Sequence, residues 1–374
     1  MYITDNFDSG NIRVISLDNP DAIQLEIKLD NQSDFYQWFH FRFEGEVGRR
    51  YRFQILNAGK AAFPDGWPDY RTCYSYDRDS WPRTETRFDG QLLEFELTLE
   101  QPSVYFAYFA PYPYERHQNL LHWAQQDARV GLETLGQTLD GRDMTMLTVG
   151  DSDTAKRRVW VIARQHPGET MAAWFAEGFL TALLDPANPT ARALLAETCF
   201  YVVPNMNPDG AVRGNLRTNA AGANLNREWQ EPSMERSPEV YLVRERMLKV
   251  GGDLFLDIHG DEALPYNFVA GCEGNTSYDE RHAALEETFK QSYIACSPDF
   301  QDTFGYDKDE PGTANMTVAA NRMGDQFRTL SYTIEMPFKD NADLADEDEG
   351  WSPARSQQLG ADVLQPIRAT LATL

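Results

Sequence analysis

Residues 158–169 read Arg158-Val159-Trp160-Val161-Ile162-Ala163-Arg164-Gln165-His166-Pro167-Gly168-Glu169, and a further apolar stretch runs on to Leu184. The segment Arg158–Arg164 is a continuous apolar run between two arginines, the pattern of a strand buried on both faces. Pro167-Gly168 interrupts it. From Thr170 to Leu184, the residues Trp174, Phe175, Gly178, Phe179, Ala182 and Leu183 recur at three- and four-residue spacing, which predicts a helix with one apolar face. Strand, tight turn and helix in succession make the unit of an α/β domain with a largely parallel sheet.

Outward from this unit the alternation continues. Strands are predicted at Phe200–Val203, Asp253–Ile258 and Ser331–Met336, and a mostly helical stretch at Ser277–Ser297. Ser237-Pro238-Glu239 and Ser352-Pro353 each place an N-capping serine before a first-turn proline, so helices start there, the first running to about Val250. Asp340–Glu349 reads as a solvated acidic loop. Upstream the period changes. Tyr36–Glu44 alternates Phe39, Phe41 and Phe43 with polar residues, and Leu92–Glu100 does the same with Leu93, Phe95, Leu97 and Leu99. Each is a strand with one wet face. Short strands are also expected at Gln24–Leu29, Tyr51–Asn57 and Ser103–Phe109, giving an antiparallel β-sandwich. The two prolines of Ala110-Pro111-Tyr112-Pro113-Tyr114 suggest a junction, with residues 1–112 as one domain and 113–374 as the other.

The chain has 374 residues and a net charge of −24, which argues against nucleic acid or an anionic membrane as partner. No run reaches the roughly 18 apolar residues of a membrane span. The start, Met1 to Gly10, lacks the basic-then-apolar order of a signal peptide. Cys73, Cys199, Cys272 and Cys296 are scattered without a CxxC pair, as in a reducing compartment, so a cytoplasmic location is expected.

Chemistry concentrates at strand ends. His166 follows the first strand, with Glu169 three residues on, and His259 ends Asp253–Ile258. Open α/β sheets form their sites at the carboxyl ends of strands. Two histidines and a glutamate leave one position of a tetrahedral zinc site open, which is the catalytic pattern. Glu335 lies in an otherwise apolar strand, where a carboxylate needs a role or a partner. Arg217, Asn226 and Arg227 fall in the Gly/Asn-rich stretch 205–229, a loop of the kind that carries sites, and arginine's planar fork matches a carboxylate.

Together these segments resemble the zinc metallocarboxypeptidases. The matching pieces are HPGE (166–169), NPDG (207–210), GNLR (214–217), NLNREW (224–229), DIHGD (257–261) and SYTIEMPF (331–338), in the family's order. WFHFRF (38–43), YRFQILN (51–57) and YFAYFAPYPY (105–114) resemble the β-sandwich that precedes the catalytic domain in the cytosolic carboxypeptidase branch. The resemblance implies a mixed sheet of about eight strands flanked by helices, and one zinc ion held by His166, Glu169 and His259. It further implies Glu335 as general base and acid, Arg217 as stabiliser of the oxyanion, and Asn226 and Arg227 as holders of the terminal carboxylate of a peptide or protein tail. Tyr306 is the nearest counterpart of the family's mobile tyrosine.

Two positions depart from that pattern. Asn224 stands where relatives carry an aspartate that orients a zinc histidine, here His166; outer-shell changes of this kind cost 10–100-fold in metal affinity or activity. Gly312-Thr313-Ala314-Asn315 stands where glutamate-removing relatives read GTGR, so Asn315 replaces the arginine that would face a glutamate side chain, with Lys308 and Arg322 as candidate substitutes. Two other readings stay open at this level. One is a zinc amidohydrolase of the desuccinylase or aspartoacylase type acting on N-acyl amino acids; the other is a non-catalytic module that binds peptide termini. Motifs say nothing of oligomeric state.

Overall fold

The computed structural model describes residues 1–374. The apolar run forms the strand Arg157–Ala163. It stops at Arg164, whose backbone turns left-handed (φ 61°). Alternate residues face opposite layers: Val159, Val161 and Ala163 join one apolar cluster, while Trp160 and Ile162 join another. Burial on both faces is thus met directly by period-two alternation.

The sheet has seven strands, not eight. Their order is Val130–Gln137, Asp143–Val149, Thr198–Val203, Arg157–Ala163, Leu254–Ile258, Leu330–Glu335 and Phe268–Ala270. The third to sixth of these are parallel, and the edges are antiparallel. The expected helices are Thr170–Leu184, Pro238–Val250, Glu280–Cys296 and Pro353–Asp362. The half-exposed hairpin Val130–Gln137/Asp143–Val149 has too little apolar alternation to read from sequence. No helix is long and apolar enough to cross a membrane.

The first 107 residues form two five-stranded sheets, antiparallel except for one parallel pair, Ile23–Glu26 with Arg50–Ile55. Their facing sides meet through aromatic rings. Phe53 of one sheet lies 4.8 Å from Phe106 of the other, and Phe95 lies 5.1 Å from Phe106. No strand or helix lies between Ala107 and Tyr114. Even so, one apolar cluster of 70 buried residues runs from Ile3 to Ile367, and Tyr108 stacks on Phe338 at 4.5 Å. The two halves therefore share a core, and cutting one away would expose the other's apolar surface.

The acidic loop 340–349 is more than a solvated connection. Its carbonyls receive arginines of the first half: Arg83 Nε donates to Glu349 O at 2.7 Å, and Arg71 donates to Asp346 O and Glu347 O. Arg355 pairs with Asp340 at 3.1 Å from the other side. Behind the sheet, Thr170–Leu184 and Pro353–Asp362 approach until backbones touch. A Cβ added at Gly178 would lie 2.0 Å from Gln357 O, and one at Gly360 would lie 2.1 Å from Phe175 O. Overpacking such a contact costs about 1–3 kcal/mol. Gly178→Val is expected to lower the thermal midpoint accordingly; an unchanged melting curve would show that the two helices can separate freely.

Candidate active site

His166, Glu169, His259 and Glu335 all lie at carboxyl ends of neighbouring parallel strands. A stapled turn presents the first two. Arg164, fully buried, donates Nε to Pro167 O at 2.9 Å and Nη1 to Tyr112 O at 2.8 Å. Gly168 packs against the Leu216 backbone, where a Cβ would come within 2.9 Å of Leu216 O. Glu169 then sits at the N-cap position of the helix Thr170–Leu184, where the dipole favours an anion.

The donor atoms converge. His166 Nδ1 lies 2.5 Å from Glu169 Oε1, and His259 Nδ1 lies 2.8 Å from Glu169 Oε2. One donor atom from each of the three residues falls within 4.8 Å of the others. The outward nitrogens are also held. His166 Nε2 lies 3.0 Å from Asn224 Oδ1, and His259 Nε2 lies 3.0 Å from Asp257 Oδ2. Gln165 Nε2 donates to the same Asp257 oxygen at 2.6 Å, while its Oε1 accepts Trp229 Nε1 at 2.8 Å. An acceptor on the outer nitrogen orients the ring and leaves the inner nitrogen as the one a metal would take. Two such imidazoles and a carboxylate are a donor set that fits zinc.

The charges respond as this packing requires. Burial and Arg217 push His166 down to about 4. Burial works against a charged His259 too, yet Asp257 and Glu169 together hold it well above its ordinary value. Burial would raise the Glu169 carboxyl, but the two histidines hold it below the usual carboxylate range. For Glu335, burial wins: its carboxyl is raised well above the ordinary value, with Glu169 and Asp261 adding and His259 opposing. Glu335 Oε2 has no partner, and Tyr306 Oη lies 3.1 Å from Glu335 Oε1 and 2.7 Å from Asp261 Oδ2, so the one hydroxyl proton is shared between the two carboxyls.

These groups line a cleft of about 490 Å³ together with Arg217, Asn226 and Arg227. Asn226 Oδ1 accepts the Ala319 N–H at 2.8 Å, and Arg227 Nη1 donates to Asn226 O at 2.6 Å. Lys308 enters the cleft, whereas Arg322 and Asn315 are not among its walls. Two contributions escaped the sequence reading. Asp257 stands two residues before His259 on a buried strand; an acidic residue in an apolar run, the signal that singled out Glu335, also marked it. Asp30 had no such signal. Its buried carboxylate accepts the N–H groups of Leu216, Arg217 and Thr218 at 2.7, 2.8 and 3.0 Å, and Thr218 Oγ1 at 3.0 Å. Phe63, also from the first half, faces the Arg217 guanidinium at 5.1 Å.

Residues 119–358 match the family model described as zinc carboxypeptidase, and residues 3–109 match the cytosolic carboxypeptidase N-terminal domain. The chain belongs to the zinc carboxypeptidase family. A metallo-carboxypeptidase from Burkholderia cenocepacia is 48% identical, with a TM-score of 0.98 over 100% of both chains. One from Pseudomonas aeruginosa, solved in complex with (2-guanidinoethylmercapto)succinic acid, is 46% identical, with a TM-score of 0.97 over 100% of this chain and 99% of that one. Human cytosolic carboxypeptidase 1 is 28% identical over 71% of this chain, but the match spans only 26% of the human protein. The family implies zinc, and the His-Glu-His cluster is where this zinc carboxypeptidase chain can hold it.

Two outcomes are expected. Asn224→Ala removes the acceptor on His166 and should weaken zinc binding by roughly 10–100-fold in a chelator competition, with Asn224→Asp recovering or exceeding the original affinity. Asp30→Ala should abolish hydrogen-exchange protection at Leu216, Arg217 and Thr218 more than at the central strands; unchanged protection would show that the loop holds itself.

Proposed function

We propose that this chain hydrolyses the last peptide bond of peptides or protein tails, with zinc held by His166, Glu169 and His259. The observation that carries the reading is Glu335, a buried carboxyl with a free oxygen, in one cleft with that donor set, Arg217 and Arg227. Zinc, when bound, supplies a Lewis acid that polarises the scissile carbonyl and acidifies water.

The side chains then divide the work. Glu335 takes the proton of the attacking water and returns it to the leaving nitrogen; a pKa raised by burial suits a group that must both accept and give. The Tyr306 hydroxyl, on Oε1, leaves Oε2 for that exchange. Arg217 meets charge that develops on the carbonyl oxygen only in the transition state. Arg227 and Asn226 hold the substrate's terminal carboxylate, present throughout. The ligand of the Pseudomonas aeruginosa relative carries two carboxylates and a guanidinium by its name. A small polycarboxylate of that type suits a cleft in which a metal and arginines attract anions close together.

Glu335→Gln is expected to lose roughly 100- to 10,000-fold in hydrolysis of a C-terminal residue, with zinc content by metal analysis unchanged. In the same assay Arg217→Ala should lower kcat and Arg227→Ala should chiefly raise KM. Wild-type rates in Glu335→Gln would remove that residue from the mechanism.

A further inference from the structure

The loop that carries Arg217 has a second anchor besides Asp30. After Arg217 the chain forms a small hairpin: Thr218 and Asn224 bridge antiparallel, and Asn219 N–H donates to Ala223 O at 2.9 Å. The buried Asn219 side chain closes its turn. Its Oδ1 accepts the N–H groups of Ala221 and Ala223, both at 3.0 Å. Its Nδ2 donates out of the turn, to Arg236 O at 2.9 Å and to Glu239 Oε2 at 3.0 Å. At the hairpin's end Asn224 Oδ1 lies 3.0 Å from His166 Nε2. One amide side chain thus ties Glu239 to the hairpin that stands between Arg217 and Asn224.

Glu239 lies in the first turn of the helix Pro238–Val250 and is 0% exposed, and its Oε1 has no partner. The charged groups around it are engaged elsewhere. Asp209, on the short helix Pro208–Arg213, pairs with Arg142 at 2.8 Å. Asp140 pairs with Arg142 at 3.2 Å and with Arg213 at 2.7 Å. Arg236, just before the helix of Glu239, pairs with Glu228 at 3.0 Å. A buried carboxylate with an orphan oxygen and no cation is costly; a neutral carboxyl in the same place costs far less. Burial accordingly pushes the Glu239 carboxyl up to about 7, with Asp209 and Asp140 adding and its own N–H and Asn219 opposing. Once ionised, the group is relieved only by water. Asn219, its side-chain partner, belongs to a loop and to neither a sheet nor a long helix, so that contact is the one that yields.

We infer that Glu239 is a positioning residue: as a neutral carboxyl it holds the hairpin 218–224 through Asn219, and with it Arg217 and Asn224, and as a carboxylate it lets the hairpin loosen. The effect on turnover rests on the carboxypeptidase reading; the effect on the hairpin does not. A carboxyl that keeps its proton better in the closed hairpin than in the open one stabilises closure at low pH. That stabilisation is complete below the ordinary glutamate range, falls as the pH rises through it, and is spent above about 7.

The test is amide hydrogen exchange of the whole protein from about pH 5 to about pH 8, corrected for intrinsic rates and read at Ala221 and Ala223. Protection at both should fall by up to roughly tenfold per pH unit and level off near 7. Glu239→Gln keeps an acceptor for Asn219 and cannot ionise, so its protection should stay high across the range, whereas Glu239→Ala should lose it throughout. A flat profile in the unsubstituted protein, or the same slope in Glu239→Gln, overturns the assignment; should Glu239→Gln fail to fold, the unsubstituted profile decides. Zinc-loaded protein supplies the second readout. Glu239→Ala should lower kcat for a C-terminal residue by roughly tenfold or more with little change in KM, and Glu239→Gln should restore it. Lost protection with unchanged kcat overturns the link to Arg217. No cleavage by the unsubstituted protein defeats the carboxypeptidase reading, and the exchange profile then decides on Glu239 alone.

Discussion

Glu169 is an anion taken out of water between two imidazoles, and much of the molecule serves to keep it compensated. A buried carboxylate is tolerated only when paired and hydrogen-bonded. Here the helix start behind it, His166 and His259 on either side, and the Gly260 N–H at 3.2 Å supply that compensation. Each partner needs its own support: Asn224 and Asp257 hold the outer ring nitrogens, Gln165 holds Asp257, and Trp229 holds Gln165. The chain of donors and acceptors ends in an apolar layer that includes Trp229, Val203 and Ile162. Rigidity at the donors thus comes from packing several residues away.

The same dependence explains why the first 107 residues are not an appendage. Arg217 sits on a loop whose N–H groups at Leu216, Arg217 and Thr218 find no acceptor in the α/β half. Asp30 does, with three backbone bonds from a residue 186 to 188 positions away. Asn31 and Asn11 extend this contact to Ala220 O and Gly214 O, both at 2.8 Å. With Phe35 and Phe63 facing its guanidinium, Arg217 is held from the sandwich side and opens into the cleft. The sandwich acts as folding partner and cleft wall through one set of contacts.

What could be read from sequence follows the range of the forces involved. Strand-end histidines, the helix Thr170–Leu184 and the helix starts at Ser237-Pro238 and Ser352-Pro353 are local patterns and appear where the sequence puts them, although only Ser352 caps its helix with its side chain. Glu335 was visible because burying a carboxylate in an apolar strand is costly. Asp257 obeys the same rule and could have been found by it. Asp30 could not: nothing in Leu29-Asp30-Asn31 distinguishes a loop clamp from a surface turn. The salt-linked far end of the cleft was equally hidden, because Glu273, Glu286, Lys290, Asp302 and Lys308 meet only after a strand, a helix and a loop have packed. The parallel pair in the sandwich and the half-exposed hairpin were lost for a related reason, since strand direction and weak alternation leave no local trace.

The charge of −24 bears on the site at two ranges. Beyond a Debye length of about 8 Å at physiological ionic strength the field is screened, but within it an acidic surface disfavours an approaching anionic tail. Inside the cleft single pairs take over from that field. Arg217 and Arg227 stand on the wall beside His166, Glu169 and His259, and at the other end Lys290 pairs with Glu286 and Asp302 while Lys308 pairs with Glu273. The long-range acidity therefore acts on approach, and the charge met inside is set residue by residue, by which carboxylates already have a cation.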